Sequence, residues 1–100
     1  MSTLNPGIVR TVSLLNANGF VTSDSGDGET GDYQCDRDYG YVVVLYDGHD
    51  LYEGCDEVFE LLRKNVEEKA FAGVAVNGCY DPRDKIALID ISYVHDRMLK

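Results

Sequence analysis

The chain has 100 residues, a net charge of −9, 44% hydrophobic side chains, three cysteines and no tryptophan. That length makes one domain, able to bury a core without needing a disulfide or a structural metal. Its acidity disfavours nucleic acid and anionic membrane as partners of the charged face, and no apolar run is long enough to span a bilayer.

The charge is uneven. Residues 21–60 carry twelve acids against Arg37 alone, whereas residues 1–20 carry only Arg10 and residues 61–100 carry six acids and seven bases. Such a field suits a basic protein surface, a metal ion or plain solubility. The N-terminus has no basic stretch followed by an apolar run, so no secretory leader is expected. Cys35, Cys55 and Cys79 stand 20 and 24 residues apart with no Cys-x-x-Cys, which predicts free thiols in a reducing cytoplasm.

Asn5-Pro6 predicts the start of a helix, with Asn5 as cap and proline at the first helical position. Ile8, Val12 and Leu15 follow at helical spacing, and Gly19 predicts a left-handed stop that folds Phe20 back onto Leu15. Phe20–Thr22 reads as a short strand. From about residue 23 to 39 the chain reads as a long acidic, glycine-rich loop, far above the usual connection of about 4–6 residues.

Tyr41–Tyr46 is apolar on both faces, which predicts a central strand whose second face meets another subunit. Asp50 and Glu53 form a capping-box pattern before a stripe of Leu51, Cys55, Val58, Phe59, Leu62 and Val66, predicting a helix that runs on to Gly73. Acids in its first turns and Arg63, Lys64 and Lys69 near its end suit the helix dipole. A strand from Val74 to about Tyr80, a turn at Asp81-Pro82-Arg83-Asp84 and a strand from Ile86 to Val94 complete the set. In the last strand Ala87, Ile89, Ile91 and Tyr93 share one face, and Val94 falls on the other. The tail from His95 to Lys100 reads as polar and frayed. The fold class is α+β: a two-layer domain in α-β-β-α-β-β order, with a four-stranded, mainly antiparallel sheet and two helices on one face.

Four constellations bear on chemistry. Asp24, Asp27, Glu29 and Asp32 offer oxygen ligands, but their intervals of 3, 2 and 3 do not match a calcium loop. Ser25, Gly26, Asp27 and Gly28 could form a nest of amides for an anion, yet carboxylates surround it and no lysine is near. Cys35, Cys55, Cys79, His49 and His95 lack the paired spacing of a zinc site. Seven tyrosines against three phenylalanines is a recognition-type aromatic set, with Tyr33, Tyr39 and Tyr41 flanking the loop. No catalytic set, metal or cofactor is therefore assigned.

Leu15 through Gly28, and Tyr80-Asp81-Pro82-Arg83-Asp84-Lys85-Ile86-Ala87-Leu88, resemble stretches of short, uncharacterised proteins of tailed bacteriophages. The resemblance implies a context, in which small acidic proteins bind and block a host component, including components of antiviral defence. The expected function is a non-catalytic module that binds and inhibits a host protein through an acidic, tyrosine-bearing face. That face comprises Asp24, Ser25, Gly26, Asp27, Gly28, Glu29, Tyr33, Tyr39 and the start of the second helix. Two alternatives stand beside it. One is an oligomeric binder of a nucleotide-like signal, held between subunits by Gly26 and Gly28 amides and stacked tyrosines, where a multiply phosphorylated ligand would need Arg10, Arg37 or Arg83 to converge; the other is a small metal-dependent hydrolase. A homodimer or higher homo-oligomer in the cytoplasm is expected, with neither nucleic acid nor membrane as partner.

Overall fold

The computed structural model describes residues 6–28, 38–48 and 50–100. The apolar stripe of the N-terminal segment forms α1 (Val9–Ala17), with Val12 and Leu15 buried beside Ile8. Gly19 takes φ +89°, and the Phe20 N–H donates to Leu15 O at 3.0 Å, as the glycine stop requires.

The start of α1 differs from expectation. Asn5 lies outside the described residues, the chain turns at Pro6–Ile8, and no local side chain caps the helix. The first free N–H groups of a helix need acceptors, and here Asp96 supplies them. Its Oδ2 accepts from Arg10 N at 2.8 Å, and its Oδ1 accepts from Thr11 N at 2.7 Å and Thr11 Oγ1 at 2.8 Å. A carboxylate is also the favoured charge at this end of the helix dipole.

The sheet is four-stranded, antiparallel and open: β1 (Val21–Gly26), β2 (Tyr41–Tyr46), β3 (Ala75–Asp81) and β4 (Ile86–Ser92), in spatial order β1-β2-β4-β3. The expected α-β-β-α-β-β order and α+β class are found. β2 is central, as its two-sided apolar pattern predicts. Val42 lies opposite Ile91, and Val44 opposite Ile89; all four are buried in one cluster with Ile8, Val12 and Leu15 and with residues of α2 (Leu51–Asn65). On the other face Val43, Leu45 and Leu88 are half-buried, while Tyr41 is 2% exposed and its hydroxyl donates to Asp24 Oδ2 at 3.3 Å.

α2 begins as expected: Asp50 Oδ1 accepts from Tyr52 N at 2.9 Å and Glu53 N at 3.4 Å. It does not continue to Gly73. Val66 adopts extended geometry and bridges antiparallel to Leu99, and a separate short helix, α3 (Glu68–Phe71), follows. The tail expected to fray causes this break. Glu67 N donates to Met98 O at 2.7 Å, and Lys100 N donates to Asn65 O at 2.8 Å. Asp96–Met98 forms a 3₁₀ turn, and Met98 and Leu99 pack on the core.

β4 also ends earlier than expected. Tyr93 takes φ +62°, which interrupts the alternation of faces and sends Val94 into the core. The β3–β4 turn follows its proline-aspartate pattern, with Asp81 Oδ1 accepting from Arg83 N at 2.9 Å. Among the described residues no helix is long and apolar enough to cross a membrane.

Candidate functional site

The stretch expected to project as a loop from residue 23 is, in its first part, sheet. Ser25 pairs with Val42 and Gly26 with Tyr41 at the edge of the sheet, and a bulge at Ser23 absorbs one residue between Thr22 and Asp24. Asp24 is exposed, but its Oδ1 accepts from Ser25 N at 2.9 Å while Oδ2 receives the Tyr41 hydroxyl. Asp27 is only 5% exposed, and its Oδ2 accepts from Gly7 N at 3.1 Å. Glu29, Asp32, Tyr33, Cys35 and Arg37 lie outside the described residues, as does His49.

Around Asp27 several backbone segments meet at glycines. A Cβ on Gly7 would collide with the His95 ring, and one on Gly28 (φ +72°) with the Tyr39 backbone. One on Gly40 would strike the Val94 carbonyl oxygen. The Asp96 N–H donates to Gly7 O at 2.9 Å, and the Val94 N–H to Gly40 O at 3.2 Å. Tyr39, half-buried, stacks on Tyr93 with ring centroids 4.6 Å apart. Ser25, Gly26, Asp27 and Gly28 therefore belong to a junction that ties the N-terminal segment, the start of β2 and the C-terminal segment together. As an outward-facing tool this part of the chain is corrected: its glycines permit close approach, and Asp27 closes a backbone N–H.

The junction does not gather the proposed anion ligands. Gly26 is buried within a strand, and Arg83 stands in the β3–β4 turn, at the far end of the sheet from the Gly26–Tyr41–Ser92 row. Nor, among the described residues, do three or more His, Cys, Asp or Glu side chains group as metal ligands. Cys55 and Cys79 are free thiols; burial, then Asp56, pushes the Cys55 thiol above its ordinary range.

The other half of the expected face lies at the start of α2. The stripe of Leu51, Cys55, Val58 and Leu62 packs inward, so Glu53, Asp56, Glu57 and Glu60 fall on the wet side. Tyr52 stands among them 85% exposed, the most exposed large apolar side chain of the described residues. On the side of α2 that carries Gly54 lies Tyr46, whose hydroxyl is held above the usual phenol range by partial burial and then by Glu57, Glu53, Asp50 and Asp47. Four carboxylates from α2 and the preceding turn thus concentrate negative potential around Tyr46. Sequence reasoning assigned the acids of this helix to dipole and capping effects; Tyr52 falls between stripe positions, and that helical phase is the signal that would have marked it.

No family model matches this chain, and no curated protein or solved structure matches it significantly.

Proposed function

We propose that this protein is a non-catalytic binding module whose acidic, tyrosine-bearing α2 face engages a basic surface on a host protein. The observation that carries the reading is Tyr52, left 85% exposed among Glu53, Asp56 and Glu57. An isolated tyrosine in water contributes nothing to folding, whereas at an interface it supplies a rigid apolar body with a hydroxyl that tolerates water. The carboxylates around it raise encounter rates with a cationic partner and discriminate against anionic ones. The resemblance to small phage proteins supports a host component, including one of antiviral defence, as the target, and inhibition in the host cytoplasm as the outcome.

The test is affinity capture from host lysate at about 50 mM and about 500 mM NaCl, conditions that differ severalfold in screening length. Wild type is compared with Tyr52→Ala and with a Glu53→Lys/Asp56→Lys variant. A defined host protein should be retained at low salt and lost at high salt. Tyr52→Ala should weaken its affinity about 30-fold, the effect of a contact worth about 2 kcal/mol. Retention that neither salt nor either variant changes would reject the reading.

A further inference from the structure

A cleft of about 440 Å³ opens at the end of the sheet, where the turn after α1, the end of β2, the start of β4 and α2 come together. Phe20, Val21, Leu45 and Ile86 give it apolar walls, and Asp47 and Glu57 supply carboxylates. Tyr46 lines it with a ring held in place from behind. A Cβ on Gly48 would collide with the Tyr46 hydroxyl, and one on Gly54 would sit 2.7 Å from ring carbons, so glycine at both positions lets the turn and the helix press on the ring. Neither Asp47 nor Glu57 has an ion-pair partner among the described residues, although Arg83 and Lys85 lie in the hairpin turn next to Ile86. A second hollow of about 270 Å³ shares Asn18, Phe20 and Glu57 with the first and extends it along α2 to Leu61.

These features select one kind of occupant. An anion would meet two carboxylates. A wholly apolar group would desolvate those carboxylates without replacing their water. A long side chain with an apolar stem and a cationic head matches both parts of the lining. A planar guanidinium does so better than an ammonium, because it stacks on a tyrosine ring while its N–H fork donates to carboxylates. We propose that this cleft seats an arginine side chain of the protein partner, with its stem against Phe20 and Leu45, its plane on Tyr46 and its charge between Asp47 and Glu57. This rests on the reading of the α2 face as the partner-binding surface and names what that surface recognises.

The test uses small probes and the full chain labelled with ¹⁵N. N-acetyl-arginine methylamide is titrated to about 50 mM, with the lysine and citrulline counterparts as controls, a range suited to millimolar dissociation constants. The expected result is saturable shifts of the Phe20, Val21, Tyr46 and Glu57 amides with the arginine probe. The lysine probe should bind more weakly, and the neutral citrulline probe at least about tenfold more weakly. An Asp47→Asn/Glu57→Gln variant with an unchanged spectral dispersion should lose the preference for arginine over citrulline. Absence of shifts at these amides, shifts confined elsewhere, or equal binding of citrulline or lysine would overturn the assignment. The two proposals fail separately. Tyr52-dependent, salt-sensitive capture without arginine shifts rejects the cleft alone. Arginine shifts without such capture reject the α2 face as the partner site.

Discussion

Replacing Asp96 by alanine tests a side-chain contact between residues 86 apart in the chain. Its carboxylate is buried, and it receives two backbone N–H groups of α1 and the hydroxyl of the fully buried Thr11. Loss of a helix cap costs about 1 kcal/mol. Leaving the Thr11 hydroxyl and amide without their acceptor in the interior adds about 2 kcal/mol. The total, about 3 kcal/mol, is a large fraction of the 5–15 kcal/mol, roughly, that holds a small domain together. At about 4–8 °C per kcal/mol for a domain of this size, the midpoint of thermal unfolding should fall by about 12–24 °C. Asp96→Asn keeps one acceptor oxygen for Thr11 but turns an NH2 group towards the Arg10 N–H, so an intermediate loss of about 2 kcal/mol is expected. Adding Thr11→Val to the alanine variant removes the stranded hydroxyl and should restore part of the loss, giving non-additivity between the two sites. Urea unfolding followed by circular dichroism measures wild type, the two Asp96 variants, Thr11→Val alone and the double variant. An alanine variant within about 0.5 kcal/mol of wild type, the range of an ordinary surface change, would refute the account of how α1 starts.

Three further outcomes are expected from the packing and charge described above. Gly40→Ala drives a Cβ into the Val94 carbonyl oxygen, which is backbone and has no rotamer to change, so a loss of about 3 kcal/mol is expected; Gly78→Ala meets only Leu51 and Cys55 side-chain atoms at 2.9–3.0 Å and should cost no more than about 1 kcal/mol, and the reverse order in urea unfolding would contradict the packing described. Tyr46 should ionise above the ordinary phenol range in an ultraviolet or NMR titration, and Glu57→Gln should move it only partly back, because burial outranks that carboxylate as the cause. With the folded-state value raised, the associated stability is present below the ordinary phenol pKa and is lost as pH rises through the folded-state value. Iodoacetamide at mildly alkaline pH should modify exposed Cys79 well before Cys55, whose thiol is held protonated by burial and by Asp56; mass mapping that finds Cys55 modified first would contradict this.

α2 is legible in the sequence because independent signals agree there: Asp50 as cap, a stripe of period 3.6, and Arg63 and Lys64 at the closing end. Its last turn is not, since the stripe runs on through Val66 and only the bridge to Leu99 pulls that residue into extended geometry. β1 is hidden for a different reason. Thr-Ser-Asp-Ser-Gly has little strand propensity, but an edge strand with one neighbour and a bulge can leave polar side chains in water without penalty. The acids pose the hardest problem. A carboxylate that will accept a backbone N–H from 20 or 86 residues away is spelled the same as one left in solvent, and only the closed fold separates Asp27 and Asp96 from the rest. That separation moves the functional argument. Asp24 is tied to Tyr41 and Ser25, Asp27 to Gly7, Asp50 to the helix it caps, and Glu60 to Arg63 at 2.7 Å. In α2 and the turn before it, Asp47, Glu53, Asp56 and Glu57 remain without a hydrogen-bond or ion-pair partner among the described residues; Asp47, Glu53 and Glu57 act on Tyr46, and Asp56 stands one helical turn from Tyr52. Charge that folding does not use is the charge available for a partner, and of the expected face's described residues it is α2 and its preceding turn, not Asp24 and Asp27, that carry it.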